Sequence, residues 1–126
     1  MDATSTVLVV DDDFDIRESI VDLLLDDGFD ALSAKDGREG LYELRVRPDV
    51  RIILLDLSMP MMDGKAFREE QLADPTLAGI PVIVLSAEED YERTAASLGA
   101  AASLQKPFSA EQLLGAIRTA SGSAAA

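Results

Sequence analysis

The stretch IILLDLSMPMMDG, residues 52–64, decides the fold and raises the first question about function. Four consecutive branched aliphatic residues lead directly into Asp56, and an Asp-Gly pair closes the loop that follows. Such a run is typical of a strand in a parallel sheet whose two faces are both covered by helices. Because an unpaired carboxylate is costly to bury, Asp56 at the end of this run needs a partner or a chemical role.

Four other segments complete an alternating pattern. VLVV at 7–10 and VIVL at 82–85 are similar apolar runs, and 29–34 and 101–105 are weaker strand candidates. Between them lie helical stripes, marked by Ile16, Ile20, Leu23 and Leu24, by Leu41 and Leu44, by Phe67 and Leu72, by Tyr91, Ala95 and Leu98, and by Leu113, Ile117 and Ala120. Five strands that alternate with five helices predict a doubly wound parallel α/β sheet.

Local signals mark several helix ends. Gly28 and Gly99 are expected to end the first and fourth helices, and Ser109 with Gln112 has the spacing of a capping box at the start of the fifth. The pattern predicts one domain over residues 1–120, followed by a flexible tail at 121–126.

Composition excludes several classes of function. The 126 residues contain no Cys and no His, which rules out disulfides, thiol nucleophiles, imidazole metal ligands and serine–histidine catalysis. The net charge of −13 argues against direct binding of nucleic acid or anionic lipid. No apolar run is long enough for a membrane span, and the N-terminus lacks the basic start of a signal peptide, so we expect a cytoplasmic protein without membrane insertion.

The predicted strand ends carry the candidate site. In a doubly wound sheet, ligands bind beyond the carboxyl ends of the strands. The residues predicted to meet there are Asp11, Asp12 and Asp13 after the first strand, Asp56 after the third, Ser86 after the fourth and Lys106 after the fifth. Carboxylates without His or Cys suit a hard ion such as Mg²⁺, so Asp56 would be a metal ligand, a nucleophile that attacks phosphorus, or both.

The segments VLVVDDD, IILLDLSMPMMDG, VIVLSA and LQKPF together resemble the receiver domain of bacterial two-component response regulators, over about residues 6–120. The resemblance is to single-domain regulators of the chemotaxis type. It implies a flavodoxin-like fold with strand order 2-1-3-4-5 and a phosphorylation-controlled switch rather than an enzyme. The phosphoryl donor would be a phosphohistidine of a sensor histidine kinase or phosphotransfer protein. Output would be docking to a downstream protein or a phosphorelay, because no effector domain follows the fifth helix.

The same resemblance implies roles for individual residues. Asp56 would be the phosphoacceptor, Ser86 the switch hydroxyl and Lys106, joined to Pro107 by an expected cis bond, the phosphate-pairing residue. Mg²⁺ would be held by Asp12 directly, by Asp11 through water, by Asp56 and by the backbone carbonyl of Ser58. Slow self-dephosphorylation is also implied.

One position departs from the pattern of the family. Receivers usually have Tyr or Phe three residues before the lysine, and here that position is Ser103. The usual coupling between the switch hydroxyl and an aromatic ring therefore cannot operate in its ordinary form. This departure keeps open an alternative function, a receiver-like interaction module that acts without phosphorylation.

Other interpretations of the same residues remain open. Residues 11–13 could be a solvated turn that caps the first helix. Asp11, Asp13 and Asp15 also fit the start of a calcium loop, although the Gly that such a loop needs is missing. Ser86 could cap the fourth helix together with Glu89. A phosphatase of the haloacid dehalogenase type also uses an aspartate nucleophile, but its motif needs a hydroxyl that residues 11–15 lack. A flavin or nucleotide carrier is disfavoured because three carboxylates would repel phosphate.

Overall fold

The computed structural model describes residues 6–57 and 63–125, with side chains described as far as Ser121. Strands and helices alternate along the chain. The strands are β1 (Thr6–Val10), β2 (Asp30–Ala34), β3 (Val50–Asp56), β4 (Val82–Ser86) and β5 (Ala102–Gln105). The helices are α1 (Phe14–Asp26), α2 (Gly37–Val46), α3 (Gly64–Ala73), α4 (Tyr91–Ser97) and α5 (Ala110–Ala125). Within these residues, no helix combines the length and the apolar character needed to cross a bilayer.

All neighbouring strands pair in parallel, in the order β2-β1-β3-β4-β5. This is the flavodoxin-like order that the sequence resemblance implied. In this order β2 lies on one side of β1, whereas β3, β4 and β5 lie on the other side. The change of direction opens a crevice at the carboxyl ends of β1 and β3, where a ligand site is expected.

Helices cover the sheet on both faces and enclose two apolar layers. One layer packs β-strand residues such as Val9, Leu54 and Leu85 against α1 and α5. The other packs alternate residues such as Val10, Leu55 and Val84 against α2, α3 and α4. Since both faces are buried, the three central strands are continuous apolar runs, which is why they stand out in the sequence.

Two details differ from the sequence pattern. Leu72 was expected on the buried stripe of α3, but its exposed fraction is 49%, and Gln71 beside it is fully buried. The inward stripe is therefore formed by Gly64, Phe67, Arg68 and Gln71, at i, i+3, i+4 and i+7. The fifth helix continues to Ala125, so most of the segment 121–126 that was assigned to a flexible tail is helical. Its alanines favour helix more than any other residue type.

The helix starts follow the capping chemistry of the sequence. Asp13, Asp36 and Asp63 each accept a hydrogen bond from the backbone N–H three residues ahead, at the starts of α1, α2 and α3. The capping box predicted for α5 is confirmed. Ser109 N–H donates to Gln112 Oε1 at 2.8 Å, and Gln112 N–H donates to Ser109 Oγ at 3.1 Å.

Gly64 allows the start of α3 to lie against the end of β3. A Cβ atom placed at Gly64 would be 2.8 Å from the Cα atom of Leu57 and 3.1 Å from the carbonyl oxygen of Asp56. Backbone atoms at such distances cannot move aside without displacing the residue that carries the candidate nucleophile. The absence of a side chain at Gly64 thus helps to position Asp56.

We expect Gly64→Ala to lower the free energy of unfolding by about 1–3 kcal/mol, because the added methyl group overpacks the contact with Leu57. The matched control is Gly115→Ala in α5, where a Cβ would meet no atom within 4 Å. That substitution should stabilise the protein by about 0.5–1 kcal/mol, since alanine loses less backbone entropy in a helix. Urea unfolding followed by circular dichroism measures both, and equal effects of the two substitutions would contradict the close approach.

Candidate functional site

A cleft lies at the carboxyl edge of the sheet, and strand pairing determines which residues meet there. Val10 pairs with Leu55, so the residues that follow them, Asp11 and Asp56, lie side by side. Asp56 in turn pairs with Leu85, which brings Ser86 to the same edge. The backbone N–H of Lys106 donates to the carbonyl of Ser86 at 2.8 Å and aligns the end of β5 with that of β4.

The cleft has a volume of about 610 Å³. Its lining residues are Asp12, Asp13, Phe14, Asp15, Ile16, Asp56, Ser86, Ala87, Glu88 and Lys106. Asp11 lies beneath this surface and is fully buried. Five of the six residues for which the sequence predicted a role, namely Asp11, Asp12, Asp56, Ser86 and Lys106, are therefore together. The sixth, Ser58, lies outside the described residues.

Three carboxylates lie close together at the cleft. One oxygen atom each from Asp11, Asp12 and Asp56 lie within 4.8 Å of one another. Asp11 and Asp56 are buried, whereas Asp12 is exposed. Three hard oxygen donors at this spacing fit Mg²⁺, which takes carboxylate and water ligands in an octahedral shell. The donor set is thus suited to the ion that the sequence predicted.

Lys106 provides the positive charge of the site. Its Nζ atom lies 3.0 Å from Asp11 Oδ2 and 3.5 Å from Asp56 Oδ2. Burial by itself lowers the pKa of this ammonium, but the hydrogen bond to Asp11 and the negative charge of Asp56 outweigh it, so the pKa of Lys106 is raised. The lysine is accordingly protonated at neutral pH and bridges the two buried carboxylates.

The Asp11 carboxylate is held on both oxygens. Oδ2 accepts from Lys106, and Oδ1 accepts from the backbone N–H of Asp13 at 2.9 Å. Arg17 also donates to the carbonyl oxygen of Asp11 at 2.8 Å. These bonds orient Asp11 from the end of β5, through Lys106, and from α1, through Asp13 and Arg17. They explain how a fully buried carboxylate is tolerated.

The three aspartates at 11–13 have different positions, one at the start of α1 and two at the cleft. Asp13 Oδ1 accepts from the N–H of Ile16 at 3.1 Å and caps α1, as the alternative interpretation of the triplet proposed. Asp11 and Asp12 instead face Asp56. The residue that caps α1 is therefore different from the two residues of the same run whose carboxylates lie close to Asp56.

Ser86 is buried at the end of β4, and its hydroxyl is directed by the loop that follows. Ser86 Oγ accepts from the N–H of Glu88 at 3.1 Å. The capping box with Glu89 does not form, because α4 begins at Tyr91 and has Asp90 as its N-cap residue. A hydroxyl that accepts one bond keeps its own O–H available as a donor.

Two residues near the cleft were not assigned a role from the sequence. Arg17, six residues after Asp11, is recognisable only once the turn into α1 is known. Phe108 lines an apolar extension of the cleft, about 550 Å³ in volume, together with Ile16 and Ile20 of α1 and Pro107. The bond between Lys106 and Pro107 is cis, as expected. The LQKPF motif contains Phe108, but nothing in the motif indicates that it faces α1.

The departure at Ser103 also has a definite place. Ser103 pairs with Val84, whose side chain belongs to the layer covered by α2, α3 and α4. Paired residues of neighbouring parallel strands point to the same face, so Ser103 lies on the α4 side of the sheet. It is half-buried there.

Comparison with known proteins identifies this architecture. The sequence model of the response regulator receiver domain matches residues 7–118. The DNA-binding response regulator MtrA of Mycobacterium tuberculosis is 35% identical over 115 residues, which are 89% of this chain and 48% of MtrA. The response regulator MprA of Mycolicibacterium vanbaalenii is 37% identical over 115 residues, again 48% of its length. The chain thus spans about half the length of the curated relatives it matches.

Solved structures agree with this result. The chemotaxis protein CheY4 of Vibrio cholerae, crystallised at low pH, superposes with a TM-score of 0.85 at 29% identity, over 93% of this chain and 98% of that one. A response regulator receiver protein from Pseudomonas putida superposes equally well, at 28% identity over 94% of this chain and 98% of its own.

The ion pairs of Lys106 should make its removal costly. We expect Lys106→Met, measured without divalent cations, to lower the free energy of unfolding by about 3 kcal/mol, because it leaves buried carboxylates uncompensated. Adding Asp11→Asn should restore part of that loss and give a coupling energy of at least about 1 kcal/mol in a double-mutant cycle. Lys65→Met, at an exposed position of α3, is the matched control. Strictly additive effects of the two site substitutions would contradict the pairing.

Proposed function

The chain belongs to the response regulator receiver domain family, and from that premise we propose that it is a signalling switch controlled by phosphorylation of Asp56. The observation that carries the proposal is the position of Asp56 in the cleft. Its carboxylate lies beside Lys106 on one side and beside two further carboxylates on the other. A nucleophile, a cation and a hard-ion donor set are therefore in one place.

The donor would be a phosphohistidine of a sensor histidine kinase or phosphotransfer protein. A carboxylate oxygen of Asp56 attacks phosphorus, and the bond between phosphorus and the imidazole nitrogen breaks. The electron pair leaves with that nitrogen while the other ring nitrogen carries a proton, so the products are an acyl phosphate and a neutral imidazole. Because this chain contains no His, the donor residue belongs to the partner.

Each polar residue of the cleft has a part in the transfer. Lys106 pairs with a phosphoryl oxygen, which requires only a small shift from its position 3.5 Å from Asp56. Ser86 donates its hydroxyl proton to a second phosphoryl oxygen. Asp11 and Asp12, together with Asp56, would hold Mg²⁺. When bound, that ion would neutralise negative charge on the transferring group.

Phosphorylation would then shift a conformational equilibrium. The phosphoryl group adds roughly one negative charge and new acceptor oxygens to the cleft. A loop arrangement that pairs Ser86 and Lys106 better with those oxygens gains population, and a partner that prefers that surface binds more tightly. Water that attacks phosphorus and breaks the bond to the Asp56 oxygen resets the switch. Glu88, which is exposed and lines the cleft, would limit the access of that water.

The proposed output is docking to another protein or transfer of the phosphoryl group in a phosphorelay. MtrA is described as DNA-binding, but the net charge of −13 makes the surface of this chain itself unsuited to nucleic acid. The chain acts on its own phosphoryl group and not on a separate substrate, so we class it as a switch rather than as an enzyme.

The acceptor is tested by intact mass. Incubation with Mg²⁺ and acetyl phosphate should add one phosphoryl mass, roughly 80 Da, to the wild type. Asp56→Asn should show no gain because an amide is not a nucleophile toward phosphorus, and a chelator should suppress the gain in the wild type.

Circular dichroism of Asp56→Asn provides the folding control. A stable gain of mass in Asp56→Asn would move the acceptor to another residue. No gain in folded wild type that binds Mg²⁺ would instead support the alternative, a receiver-like docking module that acts without phosphorylation.

The metal site is tested by a matched pair of substitutions. Asp12→Asn should raise the Mg²⁺ concentration needed for half-maximal labelling by at least about tenfold, because it removes a direct ligand. Asp13→Asn removes the same charge from the same triplet and keeps the cap of α1, since Asn is an equally good N-cap residue. It should leave the Mg²⁺ requirement almost unchanged. Equal effects would mean that net charge, and not ligation, governs Mg²⁺ binding.

A further inference from the structure

A buried polar pair on α3 has no part in the cleft chemistry. Arg68 and Gln71 have exposed fractions of 7% and 0%, on the helix face that otherwise packs against the sheet. A buried guanidinium needs compensation for the hydration it loses. Among the described residues, no recorded ion pair includes Arg68, so its compensation must come from neutral groups.

Those neutral groups are carbonyl oxygens at the end of α4. Arg68 Nε donates to the carbonyl of Leu98 at 2.8 Å, and Nη2 donates to the carbonyl of Gly99 at 3.1 Å. Leu98 is the C-cap residue of α4, and Gly99 has a φ of +68° just beyond it. The last carbonyls of a helix lack partners within it and carry partial negative charge, so a cation there is favourable. Arg68, which belongs to α3, therefore caps the C-terminal end of α4.

Gln71 connects this contact to the segment before β4. Its Oε1 accepts from Arg68 Nη1 at 2.7 Å, and its Nε2 donates to the carbonyls of Leu77 and Ile80, both at 2.9 Å. The amide is thus fully used. The pair joins three pieces of backbone: α3, the segment that leads into β4, and the end of α4.

The other end of α4 is held much less. Asp90, its N-cap residue, makes no side-chain capping bond, and residues 87–90 are exposed. Residues 87–90 connect this end to Ser86, so a movement at the switch hydroxyl would be transmitted to it through a short exposed segment. The helix has seven residues, and among the described residues the charged group that binds it to α3 contacts its C-terminal end.

We propose that Arg68 and Gln71 make the C-terminal end of α4 a fixed pivot, so that phosphorylation moves the N-terminal end of the helix. This inference rests on the proposed function, because the movement begins at Ser86. Because the C-terminal end of α4 is fixed, a shift of the residues after Ser86 would tilt the helix. This way of transmitting the signal does not need an aromatic ring at position 103.

Hydrogen exchange of the full chain, resolved by peptide mass, tests the pivot. The backbone N–H groups of Leu98, Gly99 and Ala100 donate to carbonyls of α4 and report on its C-terminal end. With Mg²⁺ and acetyl phosphate, exchange in the wild type should change over 87–94 and stay constant over 98–100. In Arg68→Met, exchange over 98–100 should rise at least about tenfold without phosphorylation, because hydrogen bonds from a charged donor are lost. The change on phosphorylation should then extend into 98–100.

Two further variants keep the result interpretable. Arg47→Met removes an arginine from an exposed ion pair with Asp49 and should leave exchange over 98–100 unchanged. Arg68→Met/Gln71→Leu replaces the whole pair by apolar side chains, which avoids an unpaired buried amide, and should free the end of α4 even if Arg68→Met does not fold.

The outcomes separate the pivot from the proposed function. Unchanged exchange over 98–100 in both Arg68 variants would overturn the anchor. Phosphorylation-dependent change over 98–100 in the labelled wild type would overturn the pivot while the proposed function stands. Absence of any mass gain in the wild type would overturn the proposed function, and with it the movement of α4, whereas the effect of Arg68→Met on unphosphorylated protein would still report on the anchor.

Discussion

The ion pairs of Lys106 with Asp11 and Asp56 are the interaction on which the site depends. Two carboxylates with exposed fractions of 0% and 4% would repel each other and favour an open sheet edge if no cation lay between them. Lys106 comes from the opposite end of the chain, 95 residues after Asp11. The site therefore exists only when β5 has joined the sheet, and its chemistry is coupled to completion of the fold.

The clustering of carboxylates around Lys106 is not an arrangement that stability alone would favour. A chain with a net charge of −13 places three carboxylates at one edge and keeps a single lysine among them. Such clustering of like charge is unfavourable in the absence of a ligand. It is understandable if, as proposed, the charge at this edge changes when an ion binds and a phosphoryl group is added, because a marginal balance is easily shifted.

Helices on both faces of the sheet position residues at the carboxyl edge, and they do so by different contacts. On one face, α1 carries both the capping Asp13 and Arg17, which holds the backbone of Asp11. On the other face, Gly64 brings α3 against the end of β3, and Arg68 ties α3 to the end of α4. Through Arg68, α4, the helix after Ser86, is therefore linked to α3, the helix after Asp56. This link does not depend on contact between the N-terminal ends of the two helices.

The sequence by itself determined the alternation of strands and helices, the strand ends and the residues gathered there. Buried parallel strands must be continuous apolar runs, and the polar residue that ends each run must lie at the same edge. Asp11, Asp12, Asp56, Ser86 and Lys106 could be named on this basis. The strand order, the receiver family and the separate roles of the residues came from the joint resemblance of four motifs and not from periodicity.

Only the tertiary structure decided contacts between elements that are distant in the chain. Arg68 and Gln71 look like ordinary polar residues of a surface helix, and Leu72 beside them looks like a core residue. The structure reverses these roles, because the carbonyls of Leu77, Ile80, Leu98 and Gly99 come within hydrogen-bonding distance of α3. A buried polar side chain is stable only where such partners exist, and their position depends on how β4 and α4 pack. Local sequence contains no information about those partners, which is why the anchor of α4 could not be predicted from it.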